Sequence, residues 1–480
     1  FLDISSAFDS VWHSALLEKL SQINVTNSPF KLLQSYLSDR SACTVVDGKI
    51  SDSLPVEAGV PQGSRLGPLL FLVFINDIVT DLESTPQIFA HETTSILNRD
   101  LARIAAWAKK FKVTFNSDKT KEIIFSKQVM NNSLPLIFDG HIADRCGKHK
   151  HLGITLTPDL SWDVHINNII KQVNLKLSMI YSVRQLSRQT LDVMFKMHIR
   201  SCIDYSIQVF GNSINETQIA KLDRLQHRAA KITTMVMKFT SKEKLLLDLG
   251  WENYKTRIEY LSLCLFHKIH THETRPQIRE CMPPVNNNHT ATRSQRYYNN
   301  YPTRDAEFNN SFFPKTVRRW NNLPVYLRNL SIDEFKIELA AIMKPKKNRL
   351  YNIGSKFGNS IHTQLRLNCS QLNSHLYSFG LSLSPNCLCQ AQETTKHFML
   401  DCFIFSIERN ELFEKLEGVL ERKHTDNYSK TELLQILLQG EKPEIYEKYR
   451  HNKLIFKYVQ DFLFKTKRLV YKSKNQYIPT

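Results

Sequence analysis

The run Gly59-Val60-Pro61-Gln62-Gly63-Ser64-Arg65-Leu66-Gly67-Pro68, followed at once by Leu69-Leu70-Phe71-Leu72-Val73-Phe74-Ile75-Asn76-Asp77, constrains the fold more than any other part of the chain. Gly59, Gly63 and Gly67 let a backbone turn sharply and approach another surface closely, and Pro68 suits a first helical position, where its missing N–H costs nothing. The residues after Pro68 are apolar on nearly every side, so a helix here is expected to be buried all round. A glycine-punctuated loop entering a core helix is the generic meaning of this pattern, and the neighbours decide whether it means more.

Those neighbours mix helices and strands. Phe1-Leu2-Asp3-Ile4 reads as the middle of a buried strand, so the sequence is expected to begin inside a domain. Two amphipathic helices follow, one carrying Val11, Leu16, Leu17, Leu20 and Ile23, the other Leu32, Leu33, Tyr36 and Leu37. Asp47-Gly48 is the preferred type I′ pair and predicts a β-hairpin between Cys43–Val46 and Lys49–Leu54. Beyond the opening stretch, Gln87–Ala90, Val113–Phe115, Ile123–Phe125 and His151–Leu156 are expected strands, with Asn98 capping a helix that bears Leu101, Ile104 and Trp107. After Ser161 the character becomes helical over Val164–Leu186, Thr190–Phe210 and Glu216–Thr234, and later over Ile332–Met343.

The chain is long enough, at 480 residues, for about three domains. Lys and Arg total 64 against 46 Asp and Glu, a formal net charge of +18, which favours polyanionic partners, nucleic acid first. Nine cysteines, an odd number with three bunched near residue 390, fit reduced thiols and not a disulfide framework. The longest apolar run, Leu69–Ile75, falls far short of the roughly 20 residues of a membrane span. A soluble intracellular protein, nuclear or cytoplasmic, is expected, with no membrane partner.

Three segments in order resemble the reverse transcriptases of non-LTR (LINE-type) retrotransposons: Phe1–Asp9, Gly59–Asp77 and Phe115-Asn116-Ser117-Asp118-Lys119-Thr120, with His151-Leu152-Gly153 after them. The resemblance continues at Leu225-Gln226-His227-Arg228-Ala229-Ala230-Lys231 and from Ser311 to Pro324. It implies an α+β fold: an N-terminally truncated palm of antiparallel sheet with helices over 1–160, fingers missing, then a helical thumb-like region over 161–284. A polar and basic linker with a docking helix would occupy 285–349, and a mainly helical zinc-knuckle-like module 350–480.

The family's chemistry is an in-line phosphoryl transfer supported by two Mg2+ ions held by carboxylates. By resemblance Asp3 is a metal ligand, the backbone of Ser5–Ala7 contacts the triphosphate of an incoming dNTP, and Phe8 crowds a ribose 2′-OH. Gln62 and Gly63 line the nucleotide pocket, and Lys119 sits near the phosphates as a general acid. In isolation Asp3 reads equally as a helix cap, Phe8 as core and Lys119 as a solvated lysine.

One departure governs the activity expected. Where the family continues Phe-Ala-Asp-Asp-Thr, this chain has Phe89-Ala90-His91-Glu92-Thr93. An imidazole is a poor ligand for Mg2+, which prefers hard oxygen donors. Only eight residues separate Ala90 from Arg99, fewer than the family has, so a deletion removing the catalytic hairpin is expected, and His91 and Glu92 then mark a degenerate motif. With two carboxylates and the fingers lost, no polymerase activity is expected.

Near the C-terminal end, Cys387-x-Cys389, seven residues, His397, four residues and Cys402 form a set of three soft sulfurs and one imidazole that suits tetrahedral Zn2+. Reduced cysteines buried as small hydrophobes are the alternative. Lys465, Lys467, Arg468, Lys472 and Lys474 would serve RNA contacts or form a solvated helix face. Three functions follow. The first is a retrotransposon-derived reverse-transcriptase domain protein with lost chemistry. The others are a non-enzymatic protein binding RNA, RNA–DNA hybrid or DNA, and a reading frame without a function.

Overall fold

Local capping and hydrophobic periodicity set the helices in this chain, and short hairpins account for most of the described strands. A computed structural model describes residues 1–80, 82–83, 93–116, 118–125, 135–285, 297–302, 305–420, 425–442, 445 and 448–470. The chain divides into two compact units, Phe1–Ser161 and Trp162–Thr480.

The first unit is built on helices α1 (His13–Gln22), α2 (Asn27–Leu37), α3 (Leu66–Ile75) and α4 (Thr93–Lys110). Leu16 and Leu20 of α1, Leu37 of α2, Leu70 and Phe74 of α3, and Ala108 of α4 meet in one core with Val11, Val60 and Phe111. Each such aliphatic or aromatic side chain contributes roughly 1.5–3 kcal/mol when fully buried. Helix α3 is not covered all round, contrary to its composition. Gly67, Leu70 and Phe74 face the core, whereas Leu69 is 57% and Leu72 61% exposed. The apolar residues outnumber the surface this unit offers to cover them.

Strands are short, and the expected antiparallel sheet is replaced among the described residues by five separate two-stranded ladders, one of them parallel. β1 (Ser41–Ala42) pairs with β4 (Leu54–Pro55), and β2 (Val45–Val46) with β3 (Lys49–Ile50). The turn between β2 and β3 has φ of 48° at Asp47 and 76° at Gly48, the two positive values that a type I′ hairpin needs. β5 (Lys121–Glu122) pairs in parallel with β8 (Asp144–Arg145), and β6 (Ile137–Phe138) with β7 (His141–Ile142). The expected strand His151–Leu156 is a hairpin of β9 (His149–His151) and β10 (Ile154–Leu156), turning at Leu152 and Gly153, both with positive φ. Ile123–Phe125 forms no strand, and Phe115 takes part only in an isolated bridge to Ile4. Phe1 is exposed and Ile4 only half-buried, so this segment is an edge and not a buried strand. Asn98 lies inside α4 and is no cap: its Oδ1 accepts from the Ile137 N–H at 2.8 Å, docking β6 on the helix. Gln87–Ala90 lies outside the described residues.

The second unit begins with α5 (Asp163–Ser182) and α6 (Arg188–Met194), the latter continued by a π-helical turn, Phe195–Arg200, and by α7 (Ser201–Asp204) and α8 (Ile207–Phe210). The expected single helix Thr190–Phe210 is broken where Ser206 adopts φ of 56°. Helix α9 (Glu216–Thr234) starts at a capping box in which Asn215 and Gln218 satisfy each other's backbone N–H, a local signal worth about 1 kcal/mol. α10 (Lys242–Leu249) and α11 (Tyr254–His270) complete a core of Ile166, Val173, Leu177, Phe195, Leu222, Ala229 and Trp251. A second core joins Phe266 to Tyr298, Trp320, Leu327 and Phe335, so part of the polar stretch after Pro283 packs as core. A third unites Ile361, Leu365, Phe398, Leu412, Leu437, Ile455 and Phe462.

A buried ionic knot ties the first and third of these cores. Asp248 receives Arg188 at 2.8 Å and Arg366 at 3.0 Å, each side chain at most 5% exposed. Arg366 also lies 3.7 Å over the ring of Tyr351. Two guanidinium groups on one carboxylate leave a net positive charge in the interior, so further acceptors are needed. Arg188 also donates to Thr363 Oγ1 and to the Asp248 backbone carbonyl. No helix among the described residues is long and apolar enough to cross a membrane.

Candidate functional site

The Gly59–Gly67 loop is anchored before it reaches α3. The Gly59 N–H donates to Val11 O and the Val60 N–H to Phe8 O, both at 2.8 Å. Gly59 O in turn bonds His13 Nε2 at 2.8 Å and accepts from Arg40 at 3.3 Å. Gly59 sits at φ of 92°, and a Cβ there would lie 3.0 Å from the Asp9 backbone; one on Gly67 would lie 2.6 Å from Pro61 O. Gly59 thus permits a close approach of the loop to the Phe1–Asp9 segment, and Gly67 a close approach of the loop to itself at Pro61.

Asp3 and Lys119 come together across that segment. The Ser5 N–H donates to Thr114 O and the Asn116 N–H to Asp3 O, which places Lys119 Nζ 3.5 Å from Asp3 Oδ2, with the side chains 68% and 47% exposed. Phe8 stacks obliquely on Phe71 of α3, ring centres 5.1 Å apart. Gln62 turns to Asp9, donating to both carboxylate oxygens at 3.1 and 3.3 Å. Gly63 has φ of 83° with open space beyond it. Asp9 is therefore a partner of this surface to which the sequence reading gave no role, although it closes the first motif. His91 and Glu92 lie outside the described residues.

Among the described residues the donors around Asp3 do not make a Mg2+ site. Among the described residues Asp3 belongs to no group of three or more metal-ligating side chains, and its neighbour is an ammonium, which competes with a cation. A hard divalent ion needs several oxygen donors at close range.

The C-terminal cluster is different. Asn386 and Gln392 bridge to make a tight turn, closed by the Cys387 N–H to Ala391 O bond at 2.8 Å and the Gln390 N–H to Cys387 O bond at 2.9 Å. His397 begins a helical turn, its N–H held by Thr394 Oγ1 at 3.1 Å, and the Cys402 N–H returns to His397 O. The four ligand atoms of Cys387, Cys389, His397 and Cys402 lie within 4.8 Å of one another. Cys387 and Cys402 sulfurs are 3.7 Å apart, Cys402 and Cys389 sulfurs 3.9 Å, and Cys389 Sγ is 3.1 Å from His397 Nε2.

Bare, these thiols cannot all ionise together. Burial first, and then the Cys387 and Cys389 sulfurs, push the Cys402 thiol up to about 12 against a hydrogen bond from the Ile404 amide. A cation at the centre would remove that conflict. Donor identity, spacing and amide N–H bonds to sulfur fit tetrahedral zinc, which would serve structurally because all four positions are protein ligands.

Comparison with known proteins adds the family. The model of the family described as "Reverse transcriptase (RNA-dependent DNA polymerase)" matches residues 1–156. The RNA-directed DNA polymerase from mobile element jockey of Drosophila melanogaster is 30% identical over 236 residues, 44% of this chain and 25% of that protein. The probable RNA-directed DNA polymerase from transposon X-element of the same fly is 27% identical over 270 residues, 52% of this chain and 29% of that protein. The chain carries a reverse transcriptase domain of non-LTR retrotransposon type. Similarity extends past this reverse transcriptase domain. The retrovirus-related Pol polyprotein from type-1 retrotransposable element R1 of Bradysia coprophila is 21% identical over 430 residues, 84% of this chain but 40% of that protein. The chain thus spans well under half the length of these relatives.

Proposed function

We propose that this chain is a retrotransposon-derived reverse-transcriptase-domain protein that binds nucleic acid but does not polymerise it. The observation that carries the second half is the pairing of Asp3 with Lys119 in a sequence that reads His91-Glu92 where the family has two aspartates. Among the described residues Asp3 has an ammonium beside it and no cluster of companion carboxylates, and a carboxylate so placed does not assemble the metal pair on which phosphoryl transfer depends. Gln62, Gly63 and Phe8 then remain as traces of a dNTP pocket, and Lys119 is relieved of proton transfer.

In this reading residues 1–160 form the palm, 161–284 a thumb, 285–349 a connecting segment with its docking helix, and 350–480 the zinc-bearing module. Zn2+ on Cys387, Cys389, His397 and Cys402 would clamp the tight turn to the helix that follows, with no part in bond-making. RNA, RNA–DNA hybrid or DNA is the partner class, supported by the +18 net charge. The buried Asp248 knot and three packed cores of the second unit favour a stable binding protein over a reading frame that does not fold.

Two measurements on the purified chain test the reading. No primer extension on an RNA template is expected with Mg2+ or Mn2+, while an RNA–DNA hybrid binds with an affinity that falls as salt rises. Extension that disappears in Asp3→Ala would overturn the loss of chemistry.

A further inference from the structure

The helix Ser406–Glu417 buries three side chains, Arg409, Leu412 and Leu416. The two leucines join the core of Ile361, Phe398 and Phe462, as inward positions of a helix should. Arg409 is a guanidinium only 6% exposed, and burying a charge is costly unless an opposite charge lies beside it. Its Nε donates to Met399 O at 3.1 Å and its NH2 group to Cys402 O. Both acceptors are neutral, and among the described residues no carboxylate lies within ion-pair distance of it.

The nearby acids are engaged elsewhere: Asp401 pairs with Lys430 and Glu393 with Arg468, each at 2.6 Å. Other buried arginines of this unit do meet an acid. Arg188 and Arg366 share Asp248, and Arg257 holds Asp204 and Glu252. Arg328 is buried on the carbonyls of Asn321 and Leu323, so carbonyl contacts alone can accommodate an arginine. What sets Arg409 apart is its neighbour.

That neighbour is the cluster of Cys387, Cys389, His397 and Cys402. The two carbonyls that Arg409 holds belong to Cys402 itself and to a residue within the helical turn His397–Asp401, which joins the last two ligands. Such a turn leaves its final carbonyls without intrahelical partners, and Arg409 supplies donors to them. Burial draws the Arg409 pKa below its usual value, opposed first by the Cys402 sulfur and then by Asp401 and Glu408. Zn2+ within three thiolates and one neutral imidazole carries a single net negative charge. The filled cluster needs a cation, and the buried guanidinium needs an anion.

We propose that Arg409 is the counter-charge of the metal centre: it neutralises the zinc-bound thiolates and, through Met399 O and Cys402 O, holds the turn that presents His397 and Cys402. It is a positioning residue and does not ligate the metal. This rests on the zinc reading above and adds the group that sets how tightly the metal is held.

The test is the zinc affinity of the full chain, measured by competition with a chromogenic chelator near neutral pH. Arg409→Gln keeps an N–H donor for the carbonyls but removes the charge, and should weaken zinc binding about 10–100-fold. Arg409→Lys loses the planar fork but keeps the charge, and should stay within about threefold of wild type, so it carries the test if Arg409→Gln does not fold. Arg328→Gln, the loss of an equally buried arginine beside a different core, should leave zinc affinity unchanged. The deciding comparison is made in Cys389→His, whose two thiolates and two imidazoles bind Zn2+ without net charge. There Arg409→Gln should cost less than about threefold, whereas an arginine with a purely structural role would cost the same in both backgrounds. Equal losses in the two backgrounds, wild-type affinity in Arg409→Gln, or a loss of about tenfold or more in Arg409→Lys would overturn the counter-charge and leave the zinc reading standing. A wild-type chain that binds no zinc would remove both.

Discussion

Lys19 Nζ lies 2.5 Å from Asp77 Oδ1 and 3.7 Å above the ring centre of Phe111, a cation enclosed between the end of the helix that the glycine loop introduces and the end of α4. Phe74 O also accepts from it at 2.6 Å, and Trp107 Nε1 donates to the same Asp77 oxygen at 2.9 Å. Removing Asp77 would leave a buried ammonium with one backbone acceptor and aromatic faces. Asp77→Ala is expected to destabilise the first unit by about 2 kcal/mol, below the 3–5 kcal/mol typical of a fully buried pair because Asp77 is partly exposed. Lys19→Met combined with Asp77→Asn should recover most of the loss, read as the first transition in urea unfolding followed by tryptophan fluorescence. In contrast Asp3→Asn, at an exposed pair, should change stability by less than about 0.5 kcal/mol.

The glycines of the loop should rank by what surrounds them. A Cβ on Gly67 would meet Pro61 O at 2.6 Å, and one on Gly59 would meet the Asp9 backbone at 3.0 Å with φ of 92°, whereas Gly63 at φ of 83° faces open space. Gly67→Ala and Gly59→Ala are therefore expected to cost about 2–3 kcal/mol, and Gly63→Ala about 1 kcal/mol for its backbone conformation alone. Equal losses at all three positions would mean that the close approach to Asp9 and Pro61 does not exist in solution.

Zinc content is the next measurable quantity. The purified chain should hold about one Zn2+, detected by atomic emission, and Cys389→Ser with Cys402→Ser should abolish it. Chelation should lower the melting temperature of the second unit and leave that of the first unchanged, because metal binding to a site of this kind is coupled to folding. A chain that melts identically with and without chelator would refute the assignment.

His362 predicts an acid dependence. It is buried, its Nε2 bonds Leu437 O at 2.9 Å, and Nδ1 has no partner. Burial, reinforced by Arg366, holds its pKa at about 3. The unfolded imidazole takes up a proton near 6.5 while the folded one stays neutral, so stability falls as pH drops from about 6.5 towards 3. Between pH 7.5 and 4.5 this group should remove about 2–3 kcal/mol by linkage. His362→Gln should flatten the pH slope of the unfolding free energy by that amount, although it costs stability at neutral pH.

How much of this was legible depended on how local each cause is. The boundaries of α9 and of the helix Ile332–Met343 were readable because Asn215 with Gln218 and Ser331 with Glu334 close capping boxes within four residues. Asp47-Gly48 fixed its hairpin for the same reason. The cysteine and histidine donors fall within sixteen residues, so spacing alone brought them under consideration. Asn98 misled because a side chain that suits a helix cap also suits any nearby N–H, and here the N–H belongs to Ile137. The exposure of Leu69 and Leu72 could not be read from an apolar run, since burial depends on what is available to cover it. The hydrogen bonds from Gln62 to Asp9 join residues 53 apart, and no local pattern announces them.

The pairing of the first residues with those near position 120 also dictates when this unit can close. Phe1 O accepts from the Lys121 N–H at 3.0 Å, across a sequence separation of 120 residues. During synthesis at about 5–20 residues per second, the Phe1–Ser5 segment would wait roughly 6–24 s for its partner to be made. Throughout that interval its backbone is an unclaimed edge, open to pairing with any other strand until Asp3 meets Lys119.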